Sequence, residues 1–237
     1  MEEKIKKNRN KKWIRKHHLL VRHIFGIFFL AYARLKYGAR VRPFKEESRR
    51  QYLVLFNHQT AFDQFFVALS FRQHLYFLAS EDIFSQGILS SALRYLVAPI
   101  PIKKQTTDLQ AVKNCIKVAR EGGTIALAPE GNRTYHGRTV YMKPGIASLA
   151  KKLGMPLAIV RIEGGYGVQP RWSDVTRKGK MRAYVSEVIE PEQMAAMSEE
   201  EQLQLLASDG MLVKRPIVVT DSVVLTGFKE AEWEERL

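Results

Sequence analysis

The sequence predicts an α/β fold: a mixed, largely parallel sheet flanked by helices, with an amphipathic, membrane-associating helix at its N-terminal end. Three observations predict it. Short apolar runs at residues 52–56, 75–79, 124–128 and 155–162 alternate with segments of helical periodicity. Two of these runs lead directly into polar clusters at Asn57 and Pro129, which is how α/β sheets present a site at their carboxyl edge. The chain has 237 residues, of which 46% are hydrophobic. That is enough for one α/β domain with its own core and excludes a disordered chain.

The elements follow in order. The first sixteen residues carry eight Lys or Arg against Glu2 and Glu3, and no secretory signal with a small-residue cleavage site is evident. Residues 17–37 are apolar with embedded charges, and their uncharged stretch, 24–33, is too short for the roughly 20 apolar residues of a span. We therefore read an interfacial helix, basic at its start and carrying Phe25, Phe28, Phe29, Tyr32 and Tyr37 along its body. This divides the chain into a basic N-terminal segment with its interfacial helix, 1–40, and an α/β domain, 41–237.

Residues 52–56 read as a buried strand, and Thr60 as the cap of a helix starting near Ala61. Residues 75–79 read as a strand, 90–97 as a helix, and 98–104, with two prolines, as an edge segment. A crossover helix over 107–120 contains Cys115 as a small core residue, and Gly122-Gly123 closes it. Strand 124–128 leads into Pro129-Glu130-Gly131-Asn132-Arg133-Thr134. A short helix over 146–153, a strand and turn over 155–165, a basic loop around 171–180, a strand over 181–189 and a helix over 199–207 complete the reading. The tail beyond carries no assigned chemistry.

The stretch Asn57-His58-Gln-Thr-Ala-Phe-Asp63 places a histidine in the turn after a strand and an aspartate in the first turn of the next helix. A separation of five is wrong for two side chains on one straight helix face. A strand-to-helix turn can bring them together, the carboxylate then holding one imidazole nitrogen and leaving the other as a base. His58 and Asp63 can also be read as two metal ligands, but no further ligand cluster accompanies them. The sequence has no Gly-x-Ser-x-Gly elbow, no Gly-x4-Gly-Lys loop and no His-Glu-x-x-His pair.

Together, the two polar blocks resemble those of the glycerophospholipid acyltransferase family, which includes 1-acylglycerol-3-phosphate acyltransferases. That family carries Asn-His-x4-Asp and, further on, Pro-Glu-Gly-Thr-Arg-Ser; order and separation both fit, over roughly residues 50–165. The resemblance implies acyl transfer from acyl-CoA or an acyl carrier protein to a lysophospholipid, with no cofactor; no metal is expected, since no further ligand cluster accompanies His58 and Asp63. It implies His58 as base and Asp63 as its orienting carboxylate. It assigns Glu130, Gly131 and Arg133 to acceptor binding; by charge, Glu130 is better suited to an acceptor hydroxyl or to orienting Arg133 than to phosphate. A further family block ends in an arginine for the acceptor phosphate, and here Lys103 or Lys104 stands in its place. Asn132 and Thr134 depart from the commoner Thr and Ser.

A formal net charge of +14 favours an anionic partner. With the resemblance, that partner is an anionic membrane surface at the cytoplasmic face, and no nucleic acid is expected. The single cysteine, Cys115, excludes an intramolecular disulfide and fits a reducing compartment. Competing readings are a remodelling acyltransferase or transacylase with another head group, and a non-catalytic basic membrane- or RNA-binding module.

Overall fold

A computed structural model describes residues 12–82, 87–103, 108–138, 145–196, 217–219 and 224–226. Its centre is a seven-stranded sheet built from β1 (Arg40–Val41), β2 (Leu53–Phe56), β3 (Leu75–Ser80), β4 (Ile100–Ile102), β5 (Thr124–Leu127), β6 (Leu157–Glu163) and β7 (Arg182–Ile189). The strand order is β1-β7-β6-β2-β5-β3-β4. β6 and β7 pair antiparallel and the other neighbours pair parallel, so the sheet is mixed and largely parallel.

The central strands β2 (Leu-Val-Leu-Phe) and β5 (Thr-Ile-Ala-Leu) are buried at every position. Uninterrupted apolar runs are what a parallel sheet covered on both faces requires. Alternate side chains divide between the two faces. Val54, Phe56, Ala126, Val160 and Ile162 pack with α1 (Lys16–Tyr37) and α2 (Asp63–Ser70). Leu53, Leu55, Ile125, Leu127 and Ile159 pack with α4 (Leu109–Arg120) and α5 (Gly145–Leu153). Cys115, on α4, is fully buried there, and burial pushes its thiol up to about 12; it is a core residue.

This division of helices determines where a site can form. From β2 the chain passes through α2 toward β3, and from the adjacent β5 it passes through α5 toward β6, in the opposite direction. Neighbouring strands whose connections leave on opposite faces open a crevice at their carboxyl ends, the topological switch point where open α/β sheets bind ligands. His58 follows β2 and Glu130 follows β5.

Several boundaries differ from expectation. α2 starts at Asp63, not Ala61, because Thr60 does not cap it: the Thr60 hydroxyl donates to the Asp63 carboxylate at 2.6 Å, and Phe62 occupies the N-cap position. Asp108 is itself the cap of α4, its side chain accepting from the N–H groups of Gln110 and Ala111. α3 (Gly87–Leu96) begins three residues early, and β4 lies at the sheet edge as its prolines demand. Between β6 and β7 lies α6, the single turn Gly165–Val168, and after β7 comes α7, Pro191–Ala196. β8 (Ile217–Val219) and β9 (Val224–Thr226) form a separate two-stranded antiparallel sheet. The helix expected over 199–207 lies outside the described residues, as does Lys104.

α1 is one continuous helix of 22 residues, long and apolar enough by length and composition to cross a membrane. One side is docked. Phe29 stacks near Phe65 and Phe66, Tyr37 near Phe62 and Phe66, and Gly26 faces Leu69. At its start His17 stacks on Tyr95 of α3 at 4.5 Å. The opposite side leaves Leu20, Ile24, Ile27, Phe28 and Leu35 exposed, spaced as one helical face.

Candidate active site

The site starts with Asn57. β2 ends at Phe56, but the Asn57 side chain continues its pairing with β6: Nδ2 donates to the Ile162 carbonyl at 2.8 Å, and Oδ1 accepts from the Ile162 N–H at 2.7 Å. An asparagine amide mimics the backbone groups that the departing strand no longer offers. The chain is thereby free to turn while its root stays fixed, and His58 emerges above the sheet edge.

The turn closes on Asp63, whose side chain is fully buried. Its Oδ2 accepts from His58 Nδ1 at 2.8 Å, from the Gln59 N–H at 2.5 Å and from the Thr60 N–H at 2.8 Å, while Oδ1 accepts from the Thr60 hydroxyl. An isolated carboxylate buried in protein costs several kcal/mol. Four donors offset that cost, so the charge is stable only with the loop wrapped around it. With Nδ1–H committed to Asp63, Nε2 carries the lone pair, and the histidine side chain is 23% exposed.

The second loop is tied to the first through the backbone of His58. The His58 N–H donates to a Glu130 carboxylate oxygen at 2.8 Å, and the Thr134 N–H donates to the His58 carbonyl at 2.8 Å. Glu130 thus braces the residue that carries the imidazole. Gly131 has φ +70°, and its N–H closes a turn onto the Ala128 carbonyl. Only glycine adopts that conformation without strain, so this residue shapes the loop that presents Glu130 and Arg133. Buried Thr134 donates to the Arg138 carbonyl at 2.6 Å, bracing the far side.

The structure therefore joins His58, Asp63 and Glu130 by direct hydrogen bonds, with Gly131 and Arg133 in the same loop as Glu130. Lys103 is exposed and follows edge strand β4, on the same carboxyl edge but separated from β5 by β3. Two strand spacings place that strand end about 10 Å to the side. Sequence reasoning missed the work of Asn57, Thr60 and Gln59, and the contact between Glu130 and His58. Only the Asn-His and Asp pattern itself signalled the first of these.

A buried carboxylate orienting a partly exposed imidazole, at the switch point of a parallel sheet, defines a class of site: base-assisted transfer to or from an oxygen or nitrogen nucleophile. Residues 40–163, just over half of the chain, match the family model described as Acyltransferase, and the chain belongs to that family. The chain is 25% identical over 136 residues to the chloroplastic 1-acyl-sn-glycerol-3-phosphate acyltransferase BAT2 of Brassica napus, covering 56% of this chain and 39% of that protein. The fold is similar to the crystal structure of the 1-acyl-sn-glycerophosphate (LPA) acyltransferase PlsC from Thermotoga maritima, with a TM-score of 0.67 and 23% identity over 81% of this chain and 76% of that one.

A second similarity lies in the tail. Residues 180–236 match the family model described as ArsC family. Separately, and over a stretch of 44 residues, the chain is 57% identical to the uncharacterized protein YusI of Bacillus subtilis, covering 19% of this chain and 37% of that protein. Each of these two curated relatives is matched over less than two thirds of its own length.

Proposed function

We propose that this protein transfers a fatty acyl group from an acyl thioester, acyl-CoA or acyl carrier protein, to the sn-2 hydroxyl of 1-acylglycerol 3-phosphate, forming phosphatidic acid. The observation that carries the reading is the His58–Asp63 pair at 2.8 Å, braced by Glu130. The names borne by its relatives support the acceptor.

In this reading His58 Nε2 takes the proton of the acceptor hydroxyl as its oxygen attacks the thioester carbonyl. Asp63 stabilises the imidazolium that forms. The tetrahedral intermediate collapses with loss of the thiolate, which takes the proton back from His58. Arg133 pairs with the acceptor phosphate through its planar fork, and Lys103 or Lys104 adds longer-range positive charge. Glu130 and Gly131 set the loop that carries Arg133. No cofactor takes part.

Association with a membrane follows from the exposed apolar face of α1. With the other side of that helix docked on α2, we place it in the interface, at the cytoplasmic leaflet, where the positive charge of the chain meets anionic lipid.

The test is an acyl-transfer assay on purified protein with mixed acyl donors and a panel of lysophospholipid head groups. Product from lysophosphatidic acid above all others is expected. Product only from choline or glycerol head groups would overturn the acceptor assignment, and no product with any donor would overturn the acyl-transfer reading.

A further inference from the structure

Between β6 and β7 the chain makes the single turn α6 and then runs back across the carboxyl edge through residue 177. This segment touches both polar loops. On the base side, the Tyr166 N–H donates to Gln59 Oε1 at 3.2 Å, and Gln169 Oε1 accepts from the Ala61 N–H at 3.3 Å. Contact is so close that a Cβ at Gly165 would lie 2.9 Å from the Thr60 methyl. On the acceptor side, the Tyr166 hydroxyl donates to the Tyr135 carbonyl at 2.9 Å, and Arg171 Nη1 donates to the Arg133 carbonyl at 3.1 Å. The Arg171 guanidinium also lies 4.3 Å from the centre of the Tyr135 ring. The segment is closed on itself by the Arg177 N–H to the Val168 carbonyl, and Trp172 Nε1 donates to the Tyr166 hydroxyl.

We propose that residues 165–177 form a strap that fixes the Arg133 loop relative to His58, with Arg171 as the positioning residue that aims Arg133 at the phosphate of the acceptor. The inference deepens the acyltransferase reading and rests on it. The physical reason is that the acceptor loop, residues 130–138, is irregular and has no ladder to hold it. Gly131 makes it turn and Thr134 ties one end to His58, yet neither reaches the Arg133 carbonyl. Arg171 does, by a charge-assisted hydrogen bond and a stacked ring that together fix its planar head. A lysine in its place has neither the fork nor the flat face. Because one strap grips Gln59 and Ala61 as well, the separation between base and phosphate site is set by one short segment, as a lysolipid needs if its hydroxyl is to reach Nε2 while its phosphate is held.

The test compares wild type with Arg171→Ala, Arg171→Lys, Tyr166→Phe, Arg133→Ala and the Arg133→Ala/Arg171→Ala pair, all screened for unchanged thermal melting. For Arg171→Ala the expected result is a rise in KM for lysophosphatidic acid of about tenfold with kcat changed less than about threefold. Arg171→Lys is expected not to rescue, and the double variant to be no worse than Arg133→Ala. Tyr166→Phe is expected to shift KM in the same direction by less. Amide hydrogen exchange over residues 130–136 is expected to quicken in Arg171→Ala, a readout independent of turnover. Full rescue by lysine, additive losses in the double variant, or exchange identical to wild type would each overturn the strap. If wild type itself does not acylate lysophosphatidic acid, the functional reading fails, while the exchange measurement still decides the positioning claim.

Discussion

Asp63 is the residue on which the site depends energetically as well as chemically. Its fully buried charge is held by four donors from residues 58–60, so the same atoms that neutralise it also shape the turn. In the proposed mechanism the pair acts as a unit. His58→Ala and Asp63→Asn are each expected to lower kcat by about 10²- to 10⁴-fold, and the double variant to be no worse than His58→Ala alone; steady-state rates on folded protein check this. The His58–Asp63 contact was legible in the sequence because five residues and one turn separate the partners. The brace from Glu130 was not, because it joins positions 72 apart and no local pattern encodes which backbone N–H a carboxylate will meet. For the same reason charge alone suggested that Glu130 would accept from an acceptor hydroxyl or orient Arg133, and gave no hint of the His58 backbone.

At the scale of the element, α1 carries the prediction. Docking by Phe29, Tyr37 and Gly26 uses one side of the helix, and Phe28 and Leu35 on the other are 73% and 84% exposed. Burying each such side chain stabilises by about 1.5–3 kcal/mol, so a lipid surface gains more from this face than water does. Phe28→Asp/Leu35→Asp is expected to weaken sedimentation with anionic vesicles by at least about a hundredfold without changing the fold; unchanged sedimentation would remove the interfacial role. Most elements were legible in the sequence, since apolar runs such as Leu53–Phe56 and Thr124–Leu127 are wholly buried and carry the pattern of a two-sided sheet. Ends were less so. Thr60 looks like a cap by type, but its hydroxyl serves the Asp63 carboxylate instead.

At the scale of the whole molecule, the described residues form two sheets of unequal size. Among the described residues the seven-stranded sheet takes its last strand, in chain order, from β7, which ends at Ile189, and β8 and β9 hydrogen-bond to each other in a sheet of their own. Among the described residues, the tail that matches the ArsC family model overlaps the seven-stranded sheet through β7 alone. A two-stranded sheet by itself is at best marginally stable, and among the described residues neither of its strands pairs with the seven-stranded sheet. A chain ending after Ala196 is expected to keep its melting temperature within about 2 °C and its acyl-transfer rate within about twofold; loss of either would show that the tail completes the domain. The strand order was not legible in the sequence, because the insertion of β5 between β2 and β3 depends on pairing across the whole chain. The polar clusters after two strands did indicate the edge at which that order opens its crevice.

The most direct measurement is the rate of phosphatidic acid formation from lysophosphatidic acid and acyl-CoA or acyl carrier protein, wild type beside His58→Ala. The account predicts turnover by wild type that falls by about 10²-fold or more in the variant while circular dichroism and melting stay the same. Equal rates in the two proteins would contradict it, because the His58–Asp63 pair would then not be the base.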